Sequence, residues 1–196
     1  MRMIKKLASL SLLAAAVAAQ AAPTTIDFDD LGDGVVVGAT YAALGVTFVD
    51  AETGPFGGLP GGTPPRAIVH DTLFSTFGPA DAIQALFASA VTSVSLTGID
   101  IGGAGFVLTA YDALVGGSVV DTESFTGVGI GVGDFTMLTV TGVGIRRVEF
   151  SQISAGLGGD GAAFDTLVFN AVPTPGTPAL LALGLLTAGL VSRRKR

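Results

Sequence analysis

Residues 22–171 predict an all-β fold, an antiparallel β-sandwich of jelly-roll type, from three observations. Short runs rich in Val, Ile, Thr and Phe recur along the segment, which is the composition of strands half-buried in a sheet. Turn-forming clusters such as Leu31-Gly32-Asp33-Gly34, Gly116-Gly117 and Gly158-Gly159-Asp160-Gly161 separate them. Long helical periodicity between the runs, the mark of a parallel α/β sheet, is missing.

Nine strands follow in order. The first two are Thr25-Ile26-Asp27-Phe28 and Val46-Thr47-Phe48-Val49. Between Thr53 and Pro65 the sequence TGPFGGLPGGTPP refuses regular structure and reads as one surface loop. Ala67-Ile68-Val69-His70 is a third strand. Asp81 to Ser89 offers one or two helical turns, and equally a loop leading into the next strand, Val91 to Leu96. Phe106 to Tyr111, Ser118 to Phe125, Phe135 to Val140, Ile145 to Phe150 and Phe164 to Phe169 complete the set. Within Arg146-Arg147-Val148-Glu149-Phe150, side chains alternate between faces. Val148 and Phe150 therefore point inward, and Arg147 and Glu149 line a wet face.

The two ends differ from this domain. Met1 to Lys6 is a basic start, Leu7 to Ala19 is apolar, and Ala19-Gln20-Ala21 supplies small residues around a cleavage point. Residues 1–21 therefore read as a signal peptide, cut by signal peptidase after export through the Sec machinery. Residues 172–196 read as a tail in three pieces: Val172 to Pro178, rich in proline; an apolar run; and the basic stop Arg193, Arg194, Lys195 and Arg196. The run from Gly176 to Ser192 has 17 residues. As a helix at ~1.5 Å per residue it is about 25 Å long, just short of a ~30 Å hydrocarbon core. It is expected to form a single C-terminal transmembrane helix, making the precursor transiently anchored in the inner membrane with residues 22–171 outside the cytoplasm.

Charge sharpens the picture. Residues 22–171 hold 3 arginines, no lysine and 16 acidic residues, a formal charge of −13. Such a surface repels nucleic acid, and no basic patch offsets it. Cysteine is absent, which removes disulfides, thiolate metal sites and thiol catalysis together.

Catalytic patterns are sparse. His70 is the sole histidine, so a histidine metal cluster within one chain is excluded. The glycine run from Gly127 to Gly133 lacks the spacing and the Lys-Ser/Thr of a phosphate loop. Glycoside hydrolysis needs two carboxylates at a set separation, and 16 acids single out no pair. The expectation is that the protein is not an enzyme. Calcium is the cofactor that the acids allow, since it takes about 6–8 hard oxygen ligands. Asp27, Asp29 and Asp165 are the candidate ligands, on first and last strands that often lie side by side. The alternative is that they are solvated turn acids, as no EF-hand pattern is present.

The signal peptide, the Pro173-Thr174-Pro175 motif, the short apolar run and the Arg-rich terminus resemble the PEP-CTERM sorting signal. Thr174 stands where that family usually has Glu. The resemblance implies processing near Pro173-Thr174-Pro175 by an exosortase-like enzyme and an association with exopolysaccharide or biofilm. The leading expectation is thus a non-catalytic exported protein sorted to the cell envelope, surface or extracellular matrix. The alternative is a Ca²⁺-dependent, lectin-like carbohydrate-binding surface module, and a glycoside hydrolase is a third reading.

Overall fold

The computed structural model describes residues 22–74, 76–129, 133–154 and 161–171. Nine antiparallel strands form among the described residues: β1 (Thr24–Ile26), β2 (Val46–Val49), β3 (Ala51–Gly54), β4 (Ala67–His70), β5 (Ile83–Ile101), β6 (Phe106–Tyr111), β7 (Val119–Phe125), β8 (Asp134–Ser151) and β9 (Ala163–Ala171). The hydrogen-bonded order is β3-β4-β9-β5-β8-β6-β7, with β1 paired to β9 and β2 to β5.

This order folds into two facing layers because β5 and β8 serve both. Residues 91–99 of β5 pair with β9, and 93–101 with the first half of β8. Residues 83–86 pair instead with the second half of β8, and 84–87 with β2. Register shifts between Leu86 and Ser93 mark the corner; such irregularities bend and twist strands. On β8, Gly144 at φ 84° lies at the same corner. One layer is therefore built on β9 and the other on β6 and β7.

Aromatic side chains fill the space between the layers. The Phe164 ring on β9 lies 5.0 Å from both Phe106 and Phe150 of the opposite layer. Phe87 and Phe169 meet across the gap at 5.1 Å. Phe28, Tyr41 and Phe48 form an edge-to-face trio at one side of the core. Each of these rings is buried, and edge-to-face pairs add about 0.5–1.5 kcal/mol beyond area burial.

Several expectations are corrected. The antiparallel sandwich forms, but not from short strands throughout: β5 has 19 residues and β8 has 18, and both pass through the corner. The runs expected as separate strands at 135–140 and 145–150 are one strand. Gly142 and Gly144 lie between those two runs, and the chain absorbs them as an irregularity and continues. Strand β3 begins before the expected loop and takes in Thr53 and Gly54. Residues 83–87 are strand rather than helix, because Ile83, Ala85 and Phe87 are buried and alternate with half-exposed Gln84 and Leu86; that is period two.

The expected transmembrane helix and inner-membrane-anchored precursor are also corrected. Among the described residues no helix is long and apolar enough to cross a membrane. The helical segments there are two three-residue 3-10 turns, Ala42–Leu44 and Pro79–Asp81. The tail on which the helix was expected, 172–196, lies outside the described residues, as does the signal segment with Ala19.

Candidate functional site

The acids singled out for calcium occupy one neighbourhood, where they hold a loop. Residues 55–66 fold over the outer surface of the β9 layer, with Phe56 and Leu59 packed on buried Ala67, Val69, Ile99 and Ala163. The Asp165 carboxylate, fully buried, accepts hydrogen bonds from the Thr63 amide and, at 3.0 Å, from the Thr63 hydroxyl. Asp29 accepts from the Arg66 amide at 2.8 Å, and Asp27 from the Asp29 amide at 3.3 Å. Asp30 accepts the Tyr41 hydroxyl. Burial pushes the Asp165 carboxyl up, and nearby Asp29 adds to that rise, while the bonds from Thr63 and Thr166 oppose it. Among the described residues no group of three or more His, Asp or Glu is placed to hold a metal. Pro173, Thr174, Pro175, Ala21 and the basic residues Arg193 to Arg196 fall outside the described residues.

The more open chemistry lies on the outer face of the other layer. Cross-strand pairing fixes two rows there. One runs Val49, Gln84, Glu149, Thr109 and Thr122; the next runs Thr47, Leu86, Arg147 and Tyr111. Paired residues share a face, so the alternation of Arg147 and Glu149 read from the sequence is the register observed. Arg147 lies flat on this surface. Its guanidinium carbon is 4.2 Å from the Tyr111 ring centre, its Nε is 3.1 Å from Glu149 Oε1, and its terminal nitrogen donates to the Leu114 carbonyl at 3.0 Å. These contacts bury Arg147, so the wet face expected at this position is covered by the 112–118 turn. Burial and the neighbouring Glu149 raise the Tyr111 phenol, against the opposing effect of Arg147.

Two hollows flank this cluster. A polar one of about 280 Å³ is lined by Asp50, His70, the 79–82 segment, Gln84 and Glu149. An apolar one of about 170 Å³ is lined by Ala42, Val46, Leu86, Phe87 and Leu114 among others. Gln84, on the polar hollow, and Leu86, on the apolar one, are successive outward residues of β5, so the two hollows neighbour one another, and Glu149 lines the polar one. The outer face of the β9 layer differs: there Ser95 bonds Thr139 at 2.8 Å and Asn170 bonds Ser93 at 2.8 Å. Its polar groups satisfy one another.

Sequence reasoning identified neither hollow. Each draws on segments far apart in the chain, and the only local signal was the alternation around Arg147.

No protein-family model matches this chain. No curated protein matches it either. Among solved structures, the K2 cleaved adhesin domain of Lys-gingipain is similar at a TM-score of 0.49 and 15% identity, over 76% of this chain and 99% of that one. The CBM22-1–GH10 modules of Clostridium thermocellum xylanase 10B, complexed with xylohexaose, are similar at a TM-score of 0.37 and 12% identity, over 74% of this chain and 29% of that one. Neither likeness assigns this chain a ligand or an activity.

Proposed function

We propose that residues 22–171 form a non-catalytic carbohydrate-binding module of an exported, surface-associated protein. The observation that carries the reading is that the two hollows neighbour one another along β5. Neighbouring polar and apolar hollows, linked through Gln84 and Leu86 on β5 and with Tyr111 in the adjoining Arg147 row, suit a chain of sugar rings better than a compact metabolite. Glu149 is committed to Arg147 and Tyr111, which favours a binding role over that of a proton donor in hydrolysis. Export rests on the sequence of residues 1–21, and delivery to an exosortase-like enzyme rests on the resemblance around Pro173-Thr174-Pro175. Exopolysaccharide is the partner these readings share.

Affinity electrophoresis through gels containing exopolysaccharides, with and without Ca²⁺, tests the module. Retardation is expected in at least one gel, and Tyr111→Ala should weaken it by about tenfold, the ~1.4 kcal/mol scale of one lost sugar contact. Mobility unchanged in every gel would refute carbohydrate binding. Release of reducing ends from the same polysaccharides would refute the non-catalytic part.

A further inference from the structure

Three candidate sites stand out beyond the reading above: the apolar hollow beside Leu114, the loop clasped by Asp29 and Asp165, and the polar hollow beside His70. The last carries the argument furthest, because its chemistry is specific. Asp50 lies at the end of β2 and Asp81 in the 3-10 turn before β5. Neither carboxylate has a hydrogen bond or ion pair among the described residues. Glu149 also lines the hollow, with its carboxylate engaged by Arg147.

A buried imidazole supplies an independent signal. The His70 side chain is 7% exposed and lines the same hollow. Its Nδ1 accepts the amides of Thr72 at 3.1 Å and Leu73 at 3.2 Å. A nitrogen that accepts two N–H groups carries no hydrogen itself, so the network puts the ring hydrogen on Nε2. Nε2 has no partner among the described residues, yet it is not among the occluded polar atoms. His70 lines the hollow and its Nε2 is open to solvent, which leaves that nitrogen available to a ligand there. A ligand oxygen entering the hollow would accept from Nε2–H in place of water.

Acceptors and donor together define a ligand: a cation to meet Asp50 and Asp81, and an oxygen close by to accept from His70 Nε2–H. We propose that the hollow binds a protonated primary amine next to a hydroxyl, as on an amino sugar with a free amino group. The glycan recognised would then be a cationic, de-N-acetylated polymer. The inference rests on the proposed carbohydrate-binding reading and narrows it. The formal charge of −13 on residues 22–171 favours the same class, because it attracts polycations and repels acidic glycans.

Isothermal titration at pH 7 of the full chain with glucosamine oligomers, N-acetylglucosamine oligomers and neutral glucans of equal length tests this. The free-amine oligomer should bind at least fivefold tighter than its acetylated counterpart, and Asp50→Asn/Asp81→Asn should erase that preference. Each exposed ion pair is worth up to about fivefold, so raising salt should narrow the gap as screening grows. Asn tolerates the left-handed backbone that Asp50 adopts at φ 60°, so the variant keeps its fold. Glu123→Gln on β7 serves as a remote control and should change nothing. Equal binding of all three oligomers would overturn the amine site and leave the carbohydrate module standing; no binding of any would remove both. Ca²⁺ titrated alone is a further arm, and saturable uptake lost in the double variant would reassign the hollow to a metal ion.

Discussion

Asp165 is a buried acid asked to do two opposing things. Its oxygens hold the Thr63 and Thr166 amides, which favours the carboxylate, but burial and Asp29 favour the protonated form and prevail. Its folded-state pKa therefore lies above the ordinary 3.8. Between those two values the folded protein holds a proton that the unfolded chain has lost. This contribution to stability is complete below pH 3.8 and fades as pH rises through the folded value. Asp165→Asn does not titrate, so urea midpoints of the two proteins should shift against the wild type as pH climbs from 3.8 towards neutral. A constant difference across that range would show that the acid is ionised in the fold throughout. The sequence reading brought Asp29 and Asp165 together because first and last strands often pair, and β1 does pair with β9. What it missed is the occupant between them: loop 55–66, 102 positions away from Asp165 in the Thr63 contact. No local pattern encodes a contact at that distance.

Among the elements, β8 shows where local signals mislead. Thr141-Gly142-Val143-Gly144 has the composition of a turn, yet the strand runs through it. The deciding factor is nonlocal: β5 needs a partner on both sides of its own corner, and a continuous β8 supplies it. Gly144 adopts φ 84° with open space where a Cβ would stand. Gly144→Ala thus incurs only the backbone cost of a left-handed residue, about 1–2 kcal/mol. Denaturant melts should show that loss, with the slope unchanged because no buried area changes. A neutral substitution would mean that the corner relaxes freely. The strand runs beginning at Val46, Ala67 and Phe106 were legible to the residue because each is an unbroken run rich in apolar and β-branched residues, whereas β3 was hidden by the glycines and prolines that follow it.

At the scale of the whole described domain, β5 and β8 tie the two layers into one hydrogen-bonded unit. Neither layer can open alone without breaking a strand that also belongs to the other. Amide exchange should therefore report a common opening free energy for core amides of β5 and β8 on both sides of the corner, as expected of one cooperative unit. Two distinct free energies, one for each side, would show that the corner is a hinge between separable halves. The fold class was legible because it depends on periodicity and turn composition. The groove was not, because its floor and walls come from β2, β5, β8 and the 112–118 turn, and only the assembled register brings them together.

The pairing of β1 with β9 also decides how the domain would bear a load. Thr24 lies opposite Phe169, and Ile26 opposite Leu167, so residues 22 and 171 leave the sheet at the same end. Tension applied through those two points would pull the ladder apart like a zipper, one rung at a time, rather than shearing all rungs together. Tension applied instead at one terminus and at the hollows, where the proposed polymer would be held, enters through β5 and β8, deep in the sheet, and avoids that geometry.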